Sequence, residues 1–240
     1  MISVAYDFHI HSCLSPCADD DMTPANIIGM AALKGLHAIA VTDHNSCLHC
    51  KTTMDFGERN GILVIPGIEL TTKEEVHVLC FFEHLENALK FDAYVQTQLI
   101  RTKNDSRIFG KQIIMDEEDC QVGEFESLLI QATNISFDDV YPLVTSYGGI
   151  MIPAHIDKTS NSLISNLGFV PPKSNFSCVE IKVKSDMMEM QDKHPFLKTC
   201  NFIRNSDAHR LGDISEPMNY IEVKELSRKE ILRFLDLKSQ

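Results

Sequence analysis

The chain has 240 residues, of which 44% are hydrophobic and 23% charged, and its formal net charge is −12. That composition excludes a disordered chain, and no apolar run approaches the length of a bilayer span. The acidic balance argues against a broad electrostatic grip on nucleic acid. It says less about a small phosphorylated substrate, because bound metal ions invert the local field.

The length suits a single large domain over residues 1–240. The opening residues read as a strand and not as a targeting leader, so the expected location is the cytoplasm. Eight cysteines in a chain long enough to bury its own core point to reduced thiols.

In chain order, Ser3 to Phe8 is a short β-rich stretch that leads into Asp7-Phe8-His9-Ile10-His11. On a strand, residues i and i+2 point the same way, so His9 and His11 would aim two imidazoles at one place. A polar loop follows, and Thr23-Pro24 opens a helix with Thr as N-cap and Pro at the first helical position. Ile27, Ile28, Ala31 and Ala32 give that helix its apolar face, and Gly35 stops it.

Ala38 to Val41 is a continuous apolar run of the kind buried on both faces in parallel sheets, and it ends in Thr42-Asp43-His44-Asn45. A helix over about 48–59 follows. Residues 62–66 form a third apolar strand, ending in Gly67-Ile68-Glu69. Glu75 to Phe82 is β-rich and carries His77.

A helical pattern runs from Leu85 to about Arg107, with Leu89, Tyr94, Val95, Leu99 and Ile100 on one stripe. Roughly 105–135 then breaks the alternation and reads as an insertion. It holds a short strand at Gln112 to Met115, a polar turn at Asp116 to Asp119 and a helical stretch at Glu126 to Gln131. Ser136 caps another helix, to about Tyr147. The strand Ile150 to Ala154 ends in His155. A capped helix (Ser160 to Leu167), a loop (168–177) and strands at Cys178 to Ile181 and Phe202 to Arg204 come next, the last ending in Asn205-Ser206-Asp207-Ala208-His209. A strand at Tyr220 to Val223 and a helix opened by a Ser227–Glu230 capping box complete the chain.

His9, His11, His44, Glu69, His77, His155, Asp207 and His209 all fall at or near strand ends. Imidazoles and carboxylates gathered at one end of such a fold imply a multi-metal site with a bridging carboxylate. His37, His49, His84 and His194 do not share that placement. Asp43 reads as a residue that orients an imidazole, and Glu180 as a site-side or structural carboxylate. Cys47 and Cys50 have Cys-x-x-Cys spacing, but Cys13 and Cys17 are a poor second pair, so buried or partly exposed thiols fit better than a structural zinc.

His9-x-His11, Thr42-Asp43-His44-Asn45, Gly67-Ile68-Glu69, His77, Ala154-His155 and Ser206-Asp207-Ala208-His209 together resemble the motifs of the polymerase and histidinol phosphatase (PHP) family of metal-dependent phosphoesterases. The resemblance implies an α/β fold, a distorted seven-stranded (β/α) TIM-like barrel. It also implies a trinuclear centre of manganese, iron or zinc. On it, His9, His11, His44, Glu69, His77, His155, Asp207 and His209 match ligand positions, with Glu69 bridging.

The family usually places one more ligand in the loop after the first motif. That loop is longer here, so Asp19 is the choice, with Asp20 and Asp21 as alternatives. Lys158 and Arg210, each just beyond a ligand motif, are candidates to clamp phosphate, and His209 or a bound water would protonate the leaving group.

The reaction expected is hydrolysis of a phosphomonoester, a small phosphorylated metabolite or nucleotide. The alternatives are an exonuclease-type phosphodiesterase on nucleotides or short oligonucleotides, a metal-dependent amidohydrolase, and a non-catalytic metal-stabilised binding module. No membrane partner is expected.

Overall fold

The computed structural model describes residues 1–172, 174–182 and 187–236. Lys173 of the predicted loop and the last four residues of the predicted domain lie outside them.

The first strand, β1 (Ile2–Ile10), is longer than predicted and changes partner along its length. Its first half pairs antiparallel with β11 (Tyr220–Val223), and its second half pairs parallel with β2 (Ala38–Val41). The register on β2 shifts between Asp7 and Ile10. Val4, Tyr6 and Phe8 face the central core with Ala38 and Ala40, whereas Ala5 and Ile10 face the helix side with Ile39 and Val41. Alternation would have kept Phe8 and Ile10 on one side. The irregularity reverses it, so that Phe8 and His9 both point inward, as two consecutive residues do at a bulge. His9 reaches the site by way of this bulge and not by plain strand alternation.

The helix α1 (Pro24–Leu33) forms as its cap predicts: the Thr23 side chain accepts from the Asn26 N–H. Ile27, Ile28 and Ala31 are buried, while Ala32 turns out to solvent. The helix α2 (Cys50–Asn60) ends on Gly61 in the left-handed conformation. The expected strand 62–66 is split at Pro66 into β3 (Leu63–Val64) and β4 (Gly67–Thr71), so Glu69 lies inside a strand. Proline cannot continue the ladder, which accounts for the break.

Next, β5 (His77–Phe82) runs antiparallel to both β4 and β8 (Gly149–Pro153). His77 opens its strand instead of closing it. Because the strand is reversed, its start lies at the end where the neighbours finish. The parallel pairing expected for Ala38 to Val41 is seen there, but it does not extend to β5.

The barrel is not seen as one closed ladder. Among the described residues the strands fall into four sheets: β11-β1-β2-β3, β4-β5-β8, a parallel pair of β9 (Cys178–Glu180) and β10 (Asn201–Ile203), and the hairpin of β6 (Ile113–Met115) and β7 (Gln121–Glu124). Backbone hydrogen bonds stitch three seams at the ligand-bearing end. Isolated bridges join His44 to Glu69 and Ile10 to Ala208, and the Ile156 N–H donates to the Glu180 carbonyl at 2.9 Å. The helix α8 (Arg228–Leu235), capped by Ser227, packs Ile231, Leu232 and Leu235 into the central core. Glu230 does not complete the capping box: its carboxylate takes Arg233 instead.

Two predicted helices are corrected. The helix α3 (Leu85–Gln98) stops well before Arg107, because Leu99 is extended and bridges to Thr133. Its buried stripe is Ala88, Phe91 and Val95, with Leu89 exposed. Residues 126–131 are not helical. Three of their carbonyls are taken by side chains: Gln112 donates to Ser127, and Asn45 donates to Leu129 and Gln131.

The segment also holds a four-residue helix, α4 (Ser106–Phe109), and the strand β7. The helices α5 (Phe137–Ser146) and α6 (Leu163–Leu167) follow their Ser136 and Ser162 caps. A helix at Met187–Lys193, α7, was not predicted.

Candidate metal centre

The strand ends converge. The Nε2 atoms of His9 and His11 are 3.2 Å apart. Glu69 lies among five imidazoles: Oε1 is 3.2 Å from His9, 2.9 Å from His77 and 3.1 Å from His155, while Oε2 is 3.3 Å from His11 and 3.1 Å from His44. Asp207 Oδ1 stands 3.4 Å from the Nε2 of both His9 and His11. The His209 ring stacks on His11 at 4.2 Å between centroids. His9, His11 and Glu69 have no exposed surface.

Among the described residues, three groups have donor atoms all within 4.8 Å of one another: His11, His44 and His209; His9, His11 and Glu69; and His44, Glu69 and His77. Glu69 belongs to two of them, as a bridging carboxylate would.

Divalent cations fit this donor set. Glu69 Oε2, His44 Nδ1 and His155 Nδ1 are buried without a hydrogen-bond partner. Buried polar atoms are rarely left so, and Glu69 Oε2 and His44 Nδ1, 3.1 Å apart with no hydrogen bond aligned between them, mark a place for a cation.

The electrostatics agree. Burial pushes the Glu69 carboxyl up, yet the imidazoles of His77, His9 and His44 hold it well below its usual range. Burial disfavours charge on His9, but Glu180, Glu69 and Asp207 raise it well above its ordinary value. His44, likewise opposed by burial and favoured by Glu69, is raised to about 9. Burial lowers His77 to about 4, and burial with the neighbouring His11 lowers His209 to about 3. Without metal, the carboxylates are therefore balanced by protons on part of the histidine set, and cations would displace those protons.

A second layer holds the ring orientations. Glu180 lies 3.0 and 3.1 Å from His9 Nδ1 and accepts from the backbone of His155 at 2.8 Å. Asp43 accepts from the Ser12 N–H and hydroxyl and from the Ser15 hydroxyl, and Ser15 Oγ lies 3.2 Å from His11 Nδ1. His155 and Asp207 have φ of 30° and 54°, the left-handed region that non-glycine residues rarely adopt.

His49, set aside on sequence, is buried at the base of this layer. Its Nε2 accepts from the Met115 N–H at 3.0 Å, so Nδ1 carries the proton and donates to Ser12 Oγ at 2.7 Å. Asp7 is buried too, accepting from the backbones of Ser206 and Ser215. Its place two residues before His9 was the signal that could have found it. His49 had no comparable signal, because its partner lies 66 residues away.

Other expected residues fare differently. Lys158 Nζ donates to Asp207 Oδ2 at 3.1 Å, and Lys182, not singled out before, stands 3.4 Å from the same oxygen. Arg210 is not brought in: it is 72% exposed and lies 3.6 Å from Asp19, which is itself 54% exposed. Neither Asp19 nor Asp20, which pairs with Lys111, nor the exposed Asp21 joins the groups above. Cys47 and Cys50 are buried thiols that share the Gly67 carbonyl, and all eight cysteines are free.

Several known proteins are similar. A lesion-specific endonuclease from Pyrococcus furiosus superposes over 98% of this chain and 56% of its own, with a TM-score of 0.69 and 21% identity. A Bifidobacterium adolescentis protein named for a metal-dependent phosphoesterase matches over 98% of both chains, with a TM-score of 0.61 and 16% identity. Among curated sequences, phosphoribosyl 1,2-cyclic phosphate 1,2-diphosphodiesterase from Eggerthella lenta is 31% identical over 78 residues, 30% of this chain and 29% of that one. The chain thus spans little more than half of the endonuclease and under a third of the curated relative. The PHP domain model matches residues 7–167, from Asp7 through the His155 motif, and the Asp207 and His209 motif beyond that stretch closes onto the same cluster. This chain belongs to the PHP domain family.

Proposed function

We propose that the chain is a metal-dependent phosphoesterase whose centre is held by His9, His11, His44, Glu69, His77, His155, Asp207 and His209. The observation that carries this is the convergence of five imidazoles on the single buried carboxylate of Glu69. Bound divalent ions, two or three by the donor count, would supply Lewis acidity and a water acidified to near neutral pH.

The chain's own groups do the rest. Lys158 and Lys182, gathered at Asp207, are placed to hold phosphate oxygens. His209 is held neutral, which suits a ligand better than a proton donor. The Asn161 Nδ2 amide donates to His77 Nε2 3.0 Å away, and His77 Nδ1 faces Glu69 Oε1 at 2.9 Å. Lys158, Lys193 and His194 line a cavity of about 400 Å³, which we assign to the remainder of the substrate.

The substrate we favour is a small phosphorylated metabolite or nucleotide, in keeping with the net charge of −12. A phosphodiester is the second reading, since the curated relative is a diphosphodiesterase. We take the three sheets other than the β6–β7 hairpin, stitched at the site end, as parts of one distorted barrel in a single domain, with residues 105–135, which carry the hairpin, inserted.

The test is elemental analysis of the purified chain with a panel of phosphomonoesters, nucleoside bisphosphates, cyclic phosphates and a short oligonucleotide. His155→Ala and Asp207→Ala should each lose metal and turnover together, by at least about 100-fold, while keeping the far-ultraviolet circular dichroism of the folded chain. Full metal content with unchanged turnover in either variant would overturn the assignment.

A further inference from the structure

Two of the histidines reach Glu69 on irregular backbone. His9 follows Phe8 on the bulge of β1, and His155 holds a φ of 30° just beyond β8. Both imidazoles meet the same oxygen, Oε1 of Glu69, at 3.2 and 3.1 Å, and their rings stack with centroids 5.7 Å apart. A left-handed non-glycine residue persists only where its surroundings hold it, and a bulge leaves a backbone group out of the ladder.

One buried pair of side chains holds both irregularities. Glu180, 1% exposed at the end of β9, gathers three donors. Its Oε2 accepts from the His155 N–H at 2.8 Å, its Oε1 accepts from the Asn205 amide at 2.8 Å, and His9 Nδ1 lies 3.1 and 3.0 Å from the two oxygens. Asn205, buried just beyond β10, turns its own Oδ1 to the Phe8 N–H at 2.8 Å. These bonds tie the bulge of β1 to the left-handed residue beyond β8, although the two strands lie in different sheets.

The donor count demands a carboxylate. A carboxamide of the same size would turn an N–H against one of the three donors. Because Glu180 only accepts, it keeps a proton on His9 Nδ1 and leaves Nε2 to face Glu69, His11 and Asp207.

We infer that Glu180 and Asn205 form one positioning unit for the ion on the His9 and His155 side of Glu69. The inference rests on the multi-metal reading above. Neither His9 nor His155 belongs to the group of His11, His44 and His209, so the unit acts on one part of the centre and not on all of it.

The test counts manganese(II) and zinc(II) bound to the metal-free full chain by equilibrium dialysis. Glu180→Gln should lose about 10- to 100-fold in affinity for one ion and keep the rest. At free metal that just saturates the wild type, it should hold about one ion fewer per chain. Exchanging the two groups, Glu180→Gln with Asn205→Asp, keeps the net charge and restores every bond. The introduced carboxylate accepts from the Phe8 N–H and from the introduced amide, whose carbonyl oxygen accepts from His9 and His155. The exchange variant should recover the missing ion and the turnover lost with it. Asn201→Ala, which removes a bond from β10 to the Phe234 carbonyl, should lower the melting temperature and leave the metal count unchanged.

A folded Glu180→Gln that keeps every ion at wild-type affinity, or loses them all together, overturns the inference. Where Glu180→Gln does not fold, the exchange variant decides: one that fails to fold, or folds without the full count of ions, also overturns it. A wild type that binds neither metal overturns the metal centre itself.

Discussion

At the residue scale, His49 shows what a sequence conceals. His9, His11, His44, Glu69 and Asp207 were legible because each follows an apolar run that ends in a polar motif. His49 follows no such run, and only the folded chain brings Met115 to its Nε2. His49→Ala should strand the Met115 N–H and weaken the Ser12–Asp43 pairing, at a cost of about 1–3 kcal/mol in a denaturation experiment.

Its titration gives a second measurement. Burial holds His49 below its ordinary value, so the folded chain keeps it neutral while the unfolded chain takes up a proton near pH about 6.5. The unfolded state then binds more protons, so the stability that His49 contributes is complete above that pH and is lost on acidification. The stability difference between wild type and His49→Gln should therefore narrow as the pH falls from about 7.5 to about 5.5. A difference that widens would contradict this arrangement.

At the element scale, the β6–β7 hairpin is tied to the loop that follows His11. The Ile113 N–H donates to the Cys13 carbonyl at 2.8 Å, and Gly110 lies against Pro16 with φ of 97°. A Cβ on Gly110 would come within 1.9 Å of the Pro16 carbonyl oxygen. Gly110→Ala should therefore cost about 1–3 kcal/mol through backbone strain alone. It should also lower metal retention, read as faster loss of metal to a chelator, although residue 110 is not a ligand. Gly123→Ala, where a Cβ meets nothing within 4 Å, is the control.

Element boundaries were readable where a cap marks them, as at Thr23 and Ser136, whereas the helix expected from Ser160 starts after its cap at Ser162. They were not readable at Leu99, where a tertiary bridge ends the helix. Nor was the reversal of β5 readable, since an apolar run looks the same in either direction. The bulge at Phe8 and His9 was equally silent: the i, i+2 rule gave the right pair of histidines, but plain alternation would have turned them outward.

At the scale of the whole molecule, the centre is a crowd of buried ionisable groups whose carboxylates are balanced, without metal, by protons on His9, His11 and His44. Stripping metal with a chelator should lower the melting temperature, and excess metal should raise it by mass action, about 2.7 kcal/mol at a hundredfold over the dissociation constant. Because His9, His11 and His44 are raised, uptake must expel protons, so apparent affinity should increase with pH up to about 9. Calorimetry in buffers of different ionisation heat would measure that release.

The bridge between Ile10 and Ala208 has a further meaning in time. Asp207 and His209 lie about two hundred residues downstream of His9 and His11, and such a distant closure is slow and costly in entropy. A ribosome must deliver residue 209 before the two motifs meet. Until then, the group of His11, His44 and His209 lacks its third imidazole, and His9 and His11 lack the Asp207 carboxylate.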